Sequence, residues 1–276
     1  MVTTGMANLG EFEVFYELSG PEGAPVVCLH HCFASDHRYF HAQMGALSDY
    51  QVLRFDARGH GNSGRPQGPY SLELMADDIN ALRACLNIES FSLCGVSLGG
   101  QVAQTFALKF PEAVERLVLV NTTCQYNEHE VDAWRDRADR ALSGGMTKLQ
   151  AELLKRWFTG DAAEKRIPGY VYMEQVVKSF HPHSFAWAAE AMCMLNTRER
   201  LKEIVSPTLI IGSHDDPGAP AELTQSMADS ISNCQLEWLE PAKHLSSFEH
   251  PDRFNELLVQ FLEAYPYQVT KLLRLP

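Results

Sequence analysis

Short apolar runs with polar, glycine-rich ends recur along the chain: PVVCLH at 25–30, YQVLRFD at 50–56, FSLCGV at 91–96, RLVLVN at 116–121, PTLIIGS at 207–213 and CQLEWLE at 234–240. Unbroken apolar runs of this length predict strands buried on both faces, as in a parallel sheet. An earlier segment, FEVFYELSG, alternates instead and ends at Ser19-Gly20-Pro21, which predicts an edge hairpin strand. Helical spacing fills the gaps. Leu72, Met75, Ile79, Leu82 and Leu86 fall on one face of 71–86, a second helix runs over 98–109 before Pro111, and a last one covers 249–263. Strands alternating with helices predict a doubly wound α/β sheet.

The alternation stops between about 124 and 200. No strand pattern is present there, and large apolar residues such as Trp134, Trp157, Phe158, Phe180, Phe185 and Trp187 are frequent. Strand-and-helix order resumes near 204. The chain therefore divides into a core of residues 1–123 and 201–276 and a helical cap of residues 124–200, the two forming one compact unit.

Composition narrows the partners more than the chemistry. The formal net charge of −12 disfavours nucleic acid and anionic membranes. No apolar run reaches the roughly 20 residues of a membrane span, and the N-terminus lacks a basic segment followed by an apolar one. Seven cysteines, an odd number with no C-x-x-C pair, suit buried thiols in a reducing cytoplasm. A cytoplasmic protein is expected, acting on a small molecule and compatible with a homodimer.

The chemical signal is LCGVSLGG at 93–100. Ser97 lies in a G-x-S-x-G turn between a strand and a helix, the context of a nucleophile elbow. Gly95 and Gly99 would let the backbone cross itself, and Gly100 would let the helix approach the strand. The helix N-terminus would place partial positive charge where an oxyanion forms. Serine is a weak nucleophile at neutral pH and needs a base, which in turn needs an orienting acid. The loop in PTLIIGSHDDPGAP offers Asp215 and Asp216. Of the two late histidines, His244 follows the last strand directly and is the expected base, while His250 precedes Pro251 and is expected at the surface. The tandem His30-His31 and the pair His181 and His183 lack ligand spacing, so no metal and no cofactor are expected. The glycines of DARGHGNSG have no Lys-Ser/Thr pair, which argues against a nucleotide loop.

Together, FDARGHGNSGRPQGPYSLE, LCGVSLGG, LVLVNTT, RWFTGD, GSHDDPGAP and AKHLSSFEHPDRF resemble the α/β-hydrolase superfamily over nearly the whole chain, and within it the 3-oxoadipate enol-lactonase-like hydrolases. The resemblance implies an α/β-hydrolase fold with a cap inserted after the sixth strand. Its Gly-x-x-Asp spacing points from Gly212 to Asp215 as the acid, with Asp216 as the alternative. It places the oxyanion donors at the amides of Leu98 and Cys32, with Phe33 as the alternative to Cys32; many relatives have glycine where this chain has His31. It also implies that Asp56 and Arg58 pair near the elbow in a structural role. Phe33, Trp134, Trp157 and Trp187 are the expected substrate contacts. A substrate carboxylate would call on Arg135, Arg137, Arg140, Lys155 or Arg156. The implied activity is hydrolysis of a carboxylic ester or lactone, 3-oxoadipate enol-lactone above all. Other esterase, lactonase or C–C hydrolase activities on the same triad stay open, as do a cofactor-free dioxygenase and a non-enzymatic ligand receptor.

Overall fold

A computed structural model describes residues 2–265 of the chain. Residue 1 and residues 266–276, the ends of the expected core segments, lie outside the described residues. Eight strands form one sheet: β1 (Val2–Asn8), β2 (Glu13–Ser19), β3 (Val26–His30), β4 (Gln51–Phe55), β5 (Phe91–Val96), β6 (Val114–Val120), β7 (Thr208–Gly212) and β8 (Cys234–Trp238). Their spatial order is β1-β2-β4-β3-β5-β6-β7-β8. β1 and β2 are antiparallel, as are β2 and β4, and every pair from β4 to β8 is parallel. The apolar runs become the parallel strands because helices cover both faces; every residue of β5 is buried.

The alternating segment at 13–19 is not an edge. β1 pairs along its whole length and makes β2 an inner strand. The sequence of β1, VTTGMAN, carries little apolar signal because that strand is mostly exposed. With it, six strands precede the cap.

Helix α1 (Leu72–Cys85) starts at Ser71, whose hydroxyl accepts from the Leu74 N–H at 3.1 Å, and buries Leu72, Met75, Ile79 and Leu82. Helix α2 (Leu98–Lys109) is buried nearly all round, polar Gln101 and Gln104 included. Five helices lie between β6 and β7: α3 (Glu128–Gly144), α4 (Thr147–Trp157), α5 (Gly160–Lys165), α6 (Pro168–Ser179) and α7 (Pro182–Cys193). The two ends of this segment meet. Thr197 N–H donates to Cys124 C=O at 3.0 Å, and Thr197 Oγ1 donates to Gln104 Oε1 on α2 at 2.8 Å. Helix α8 (Ala221–Ser230) precedes β8, and the short α9 (Ser246–Glu249) and α10 (Pro251–Ala264) close the described chain.

The chain crosses from β4, on one side of β3, to β5 on the other. At such a reversal the connections leave in opposite directions and open a crevice beyond the carboxyl ends of the strands. The loops following β3 and β5 both end there, and so the topology itself sets residues 31–36 beside Ser97.

Candidate active site

Ser97 has φ +54° and ψ −116°, a backbone conformation rarely adopted by a residue with a side chain. The packing around it holds this conformation. Ser97 N–H donates to Val120 C=O at 2.9 Å, and Thr122 Oγ1 donates to Ser97 C=O at 2.8 Å. A β-carbon on Gly95 would stand 2.2 Å from the Gly99 carbonyl, and one on Gly99 would stand 2.3 Å from the His30 carbonyl. The small residues of the motif thus let α2 start directly against β5 and β3.

Ser97 Oγ lies 2.7 Å from His244 Nε2. His244 Nδ1 lies 2.8 and 2.9 Å from the two oxygens of Asp216. A carboxylate accepts only, so Nδ1 carries the proton and Nε2 is free to accept from serine. Asp216 is further held by the N–H groups of Gly218 (2.7 Å) and Ala219 (3.1 Å). The expected Asp215 is exposed and makes no such contact; its neighbour takes the position. The family spacing misleads by one residue. Here Ser213 and Asp216 turn inward while His214 and Asp215 face outward, with His214 bound to Glu240.

The loop after β3 is shaped by histidines. His31 Nε2 accepts from Ala57 N–H at 3.0 Å, and its Nδ1–H donates to Cys32 C=O at 2.8 Å. His60 Nε2 accepts from Ala34 N–H at 3.3 Å, and its Nδ1–H donates to Arg58 C=O at 2.9 Å. These bonds stitch the two loops together. Among the described residues, the amides of Cys32 and Phe33 meet no acceptor, and Leu98 opens α2, where an N–H has no intrahelical partner. Burial pushes the Cys32 thiol up to about 12, so it stays protonated beside Ser97. Asp56 and Arg58 do not pair, contrary to expectation. Arg58 binds Asp78 at 2.6 and 2.7 Å, while Asp56 accepts from His37 and Asn62.

The buried histidines have a stability consequence. Burial, foremost, lowers His30 and His60 to about 4 and His31 well below the ordinary 6.5. The unfolded chain therefore binds more protons than the native one below about pH 6.5. Their stabilising contribution is complete above that value and is lost as pH falls toward the native values. His30 and His60 each cost about 2 kcal/mol by pH 5. The melting temperature is expected to drop by about 10 °C or more between pH 7.5 and pH 5; scanning calorimetry showing a flat profile would refute it.

A small cavity of about 10 Å³ adjoins the serine, lined by Cys32, Phe33, Ser97, Trp134, Trp157, Met192, His244 and Leu245. Of the expected substrate contacts, Phe33, Trp134 and Trp157 line this cavity. Trp187 does not. It packs on Tyr70, with ring centroids 5.5 Å apart, and covers Gly68. Met192 and Leu245 are additional lining residues with no distinguishing signal in the sequence. The cap arginines are mostly paired: Arg135 with Glu190, Arg137 with Glu152, and Arg140 with Asp136 and Glu152. Arg156 donates to Pro217 C=O at 2.6 Å, and Lys243 Nζ donates to the Lys155 carbonyl. The cap grips the base loop directly. Leu245 N–H donates to Trp157 C=O, and Glu249 accepts from Lys243 N–H through one oxygen and from Thr159 through the other.

His30 Nδ1 and both ring nitrogens of His31 serve the loop backbone, and His181 and His183 are exposed. Asp36, His37 and Asp56 bring ligand-type atoms within 4.8 Å of one another, but Asp36 is engaged by Arg38 and His37 by Asp56. Among the described residues no helix is long and apolar enough to cross a membrane.

A strand-elbow-helix serine, a histidine after the last strand and an eight-stranded mostly parallel sheet define an α/β hydrolase. The family model for the alpha/beta hydrolase fold matches residues 25–251; the chain belongs to this family and is a hydrolase. It is 29% identical to 3-oxoadipate enol-lactonase 2 of Acinetobacter baylyi over 91% of this chain and 93% of that protein. The enol-lactonase from Burkholderia xenovorans LB400 superposes with a TM-score of 0.90 at 30% identity, covering 94% of this chain and all of the other. A thermophilic esterase from Thermogutta terrifontis superposes at 0.87, with 28% identity and coverage of 95% and 99%.

Proposed function

We propose that the protein hydrolyses a small carboxylic ester or lactone through an acyl-enzyme on Ser97, most like the opening of 3-oxoadipate enol-lactone. The observation that carries this reading is the unbroken line from Ser97 Oγ through His244 to Asp216, ending beside an apolar cavity. His244 Nε2 takes the hydroxyl proton as Oγ attacks the carbonyl carbon. Asp216 holds the imidazole tautomer and stabilises its cation. The amides of Leu98 and of Cys32 or Phe33 receive the oxyanion. Collapse of the tetrahedral intermediate breaks the bond to the alkoxy oxygen, which takes the proton from His244. Water, deprotonated by the same nitrogen, then cleaves the acyl-enzyme. Residues 124–200 act as a cap that excludes solvent and sets substrate shape.

A second reading, a neutral ester or lactone, draws support from the cavity wall, which apart from Ser97 and His244 carries no charged side chain and consists of Cys32, Phe33, Trp134, Trp157, Met192 and Leu245. A turnover panel separates the two: 3-oxoadipate enol-lactone, p-nitrophenyl esters of several lengths and neutral lactones, each with wild type and Ser97→Ala. The enol-lactone is expected to turn over faster than the neutral esters, with dependence on Ser97. Preference for neutral substrates would discard the enol-lactone and keep the triad. Failure of every ester and lactone would discard both.

A further inference from the structure

The end of β6 touches all three arms of the site. Val120 C=O accepts the Ser97 N–H, and the next residue, Asn121, is 1% exposed with φ +43°. Its own N–H donates to Ile211 C=O at 2.8 Å and anchors it to the end of β7. Its side-chain Nδ2 reaches Asp216 Oδ2 at 3.0 Å, Ser213 Oγ at 3.1 Å and the Lys243 carbonyl at 3.3 Å. Its Oδ1 accepts from Ser246 Oγ at 2.5 Å. The amide therefore binds the acid on one side and, on the other, the residues flanking His244 closely in sequence, Lys243 and Ser246.

We propose that Asn121 is a positioning residue that holds Asp216 and the His244 loop in mutual register, an inference that rests on the triad reading above. Asp216 is fully buried, so each carboxylate oxygen needs donors. Oδ1 has Gly218 and Ala219; for Oδ2, Asn121 is the donor besides His244. Without that amide the carboxylate can rotate about its Cβ–Cγ bond toward the Gly218 and Ala219 amides. The Lys243 carbonyl would lose a partner at the same time, and the imidazole would lose its fixed aim at Ser97. The reaction depends on that aim to within fractions of an ångström. Asparagine suits the position twice over: it tolerates the left-handed backbone, and it offers a donor and an acceptor on one short side chain.

Two variants test the clamp, with p-nitrophenyl butyrate as probe at pH 8. Asn121→Gly keeps the backbone conformation and removes every side-chain bond. Asn121→Asp keeps the shape and the Ser246 contact but exchanges the donor for a carboxylate facing Asp216. Both are expected to lower kcat by about tenfold or more while KM changes by less than about threefold. In an Asp216→Ala background, Asn121→Gly is expected to cost about threefold or less, because the clamp then has little to hold. Asn121→Asp with kcat within about twofold of wild type would overturn the proposal, as would a full additional loss in the Asp216→Ala background. Should the glycine variant fail to fold, the aspartate variant decides alone. Retained activity in Ser97→Ala would instead sink the triad reading itself, whatever Asn121 does.

Discussion

Ser97→Ala is expected to lower the rate of ester or lactone hydrolysis by on the order of a thousandfold or more, and His244→Ala by a similar factor. Both proteins should stay folded. The serine hydroxyl has His244 as its hydrogen-bond partner, while the contacts that hold the elbow run through the Ser97 backbone to Val120 and Thr122. Alanine keeps those contacts and the glycine crossings at Gly95 and Gly99. The two losses should not add, because a base without its nucleophile has nothing to activate; the double variant is expected to be about as slow as either single one. Steady-state kinetics beside melting curves on the three variants measure this directly. Near-normal turnover in folded Ser97→Ala and His244→Ala would end the mechanism.

Asp216→Asn is expected to cost on the order of a thousandfold or more in kcat, whereas Asp215→Asn should leave the rate within about twofold. The asymmetry follows from geometry. Asp216 is fully buried and accepts from His244, Asn121, Gly218 and Ala219. An amide there must turn either its NH₂ toward His244, which imposes the wrong tautomer, or its NH₂ toward the Asn121 donor. It also carries no charge to stabilise the imidazolium. Asp215 is exposed, so removal of its charge is screened by water. Parallel kinetics on the two single variants decide the assignment, and a slow Asp215→Asn beside an active Asp216→Asn would reverse it.

Apolar runs and helical spacing suffice to predict the parallel strands, α1, α2 and the helical stretch between β6 and β7, because burial on both faces leaves little choice of residue. The elbow is legible for a similar reason: only glycine fits where a β-carbon would meet a carbonyl at 2.2 or 2.3 Å. β1 is not legible in the sequence because a mostly exposed strand carries little apolar pattern. Trp187 turns away from the pocket because which face of α7 points inward is decided by what α3 and the Gly68 turn present to it. In the sequence His31 is a departure from glycine; its role depends on the two backbone groups that its ring nitrogens meet.

The family and its hydrolase class are legible in the sequence alone. A serine in a strand-to-helix glycine turn and a histidine after the last strand are local features, written into a few adjacent residues. The tertiary structure decided which of two adjacent aspartates faces the histidine, because successive loop residues point in different directions and the amides of Asn121, Gly218 and Ala219 select one. It also decided the cavity wall and the grip of Asn121. Those depend on side chains that meet from segments far apart in the chain, such as Asn121 and Ser246, and no spacing along a single strand or helix encodes such a meeting.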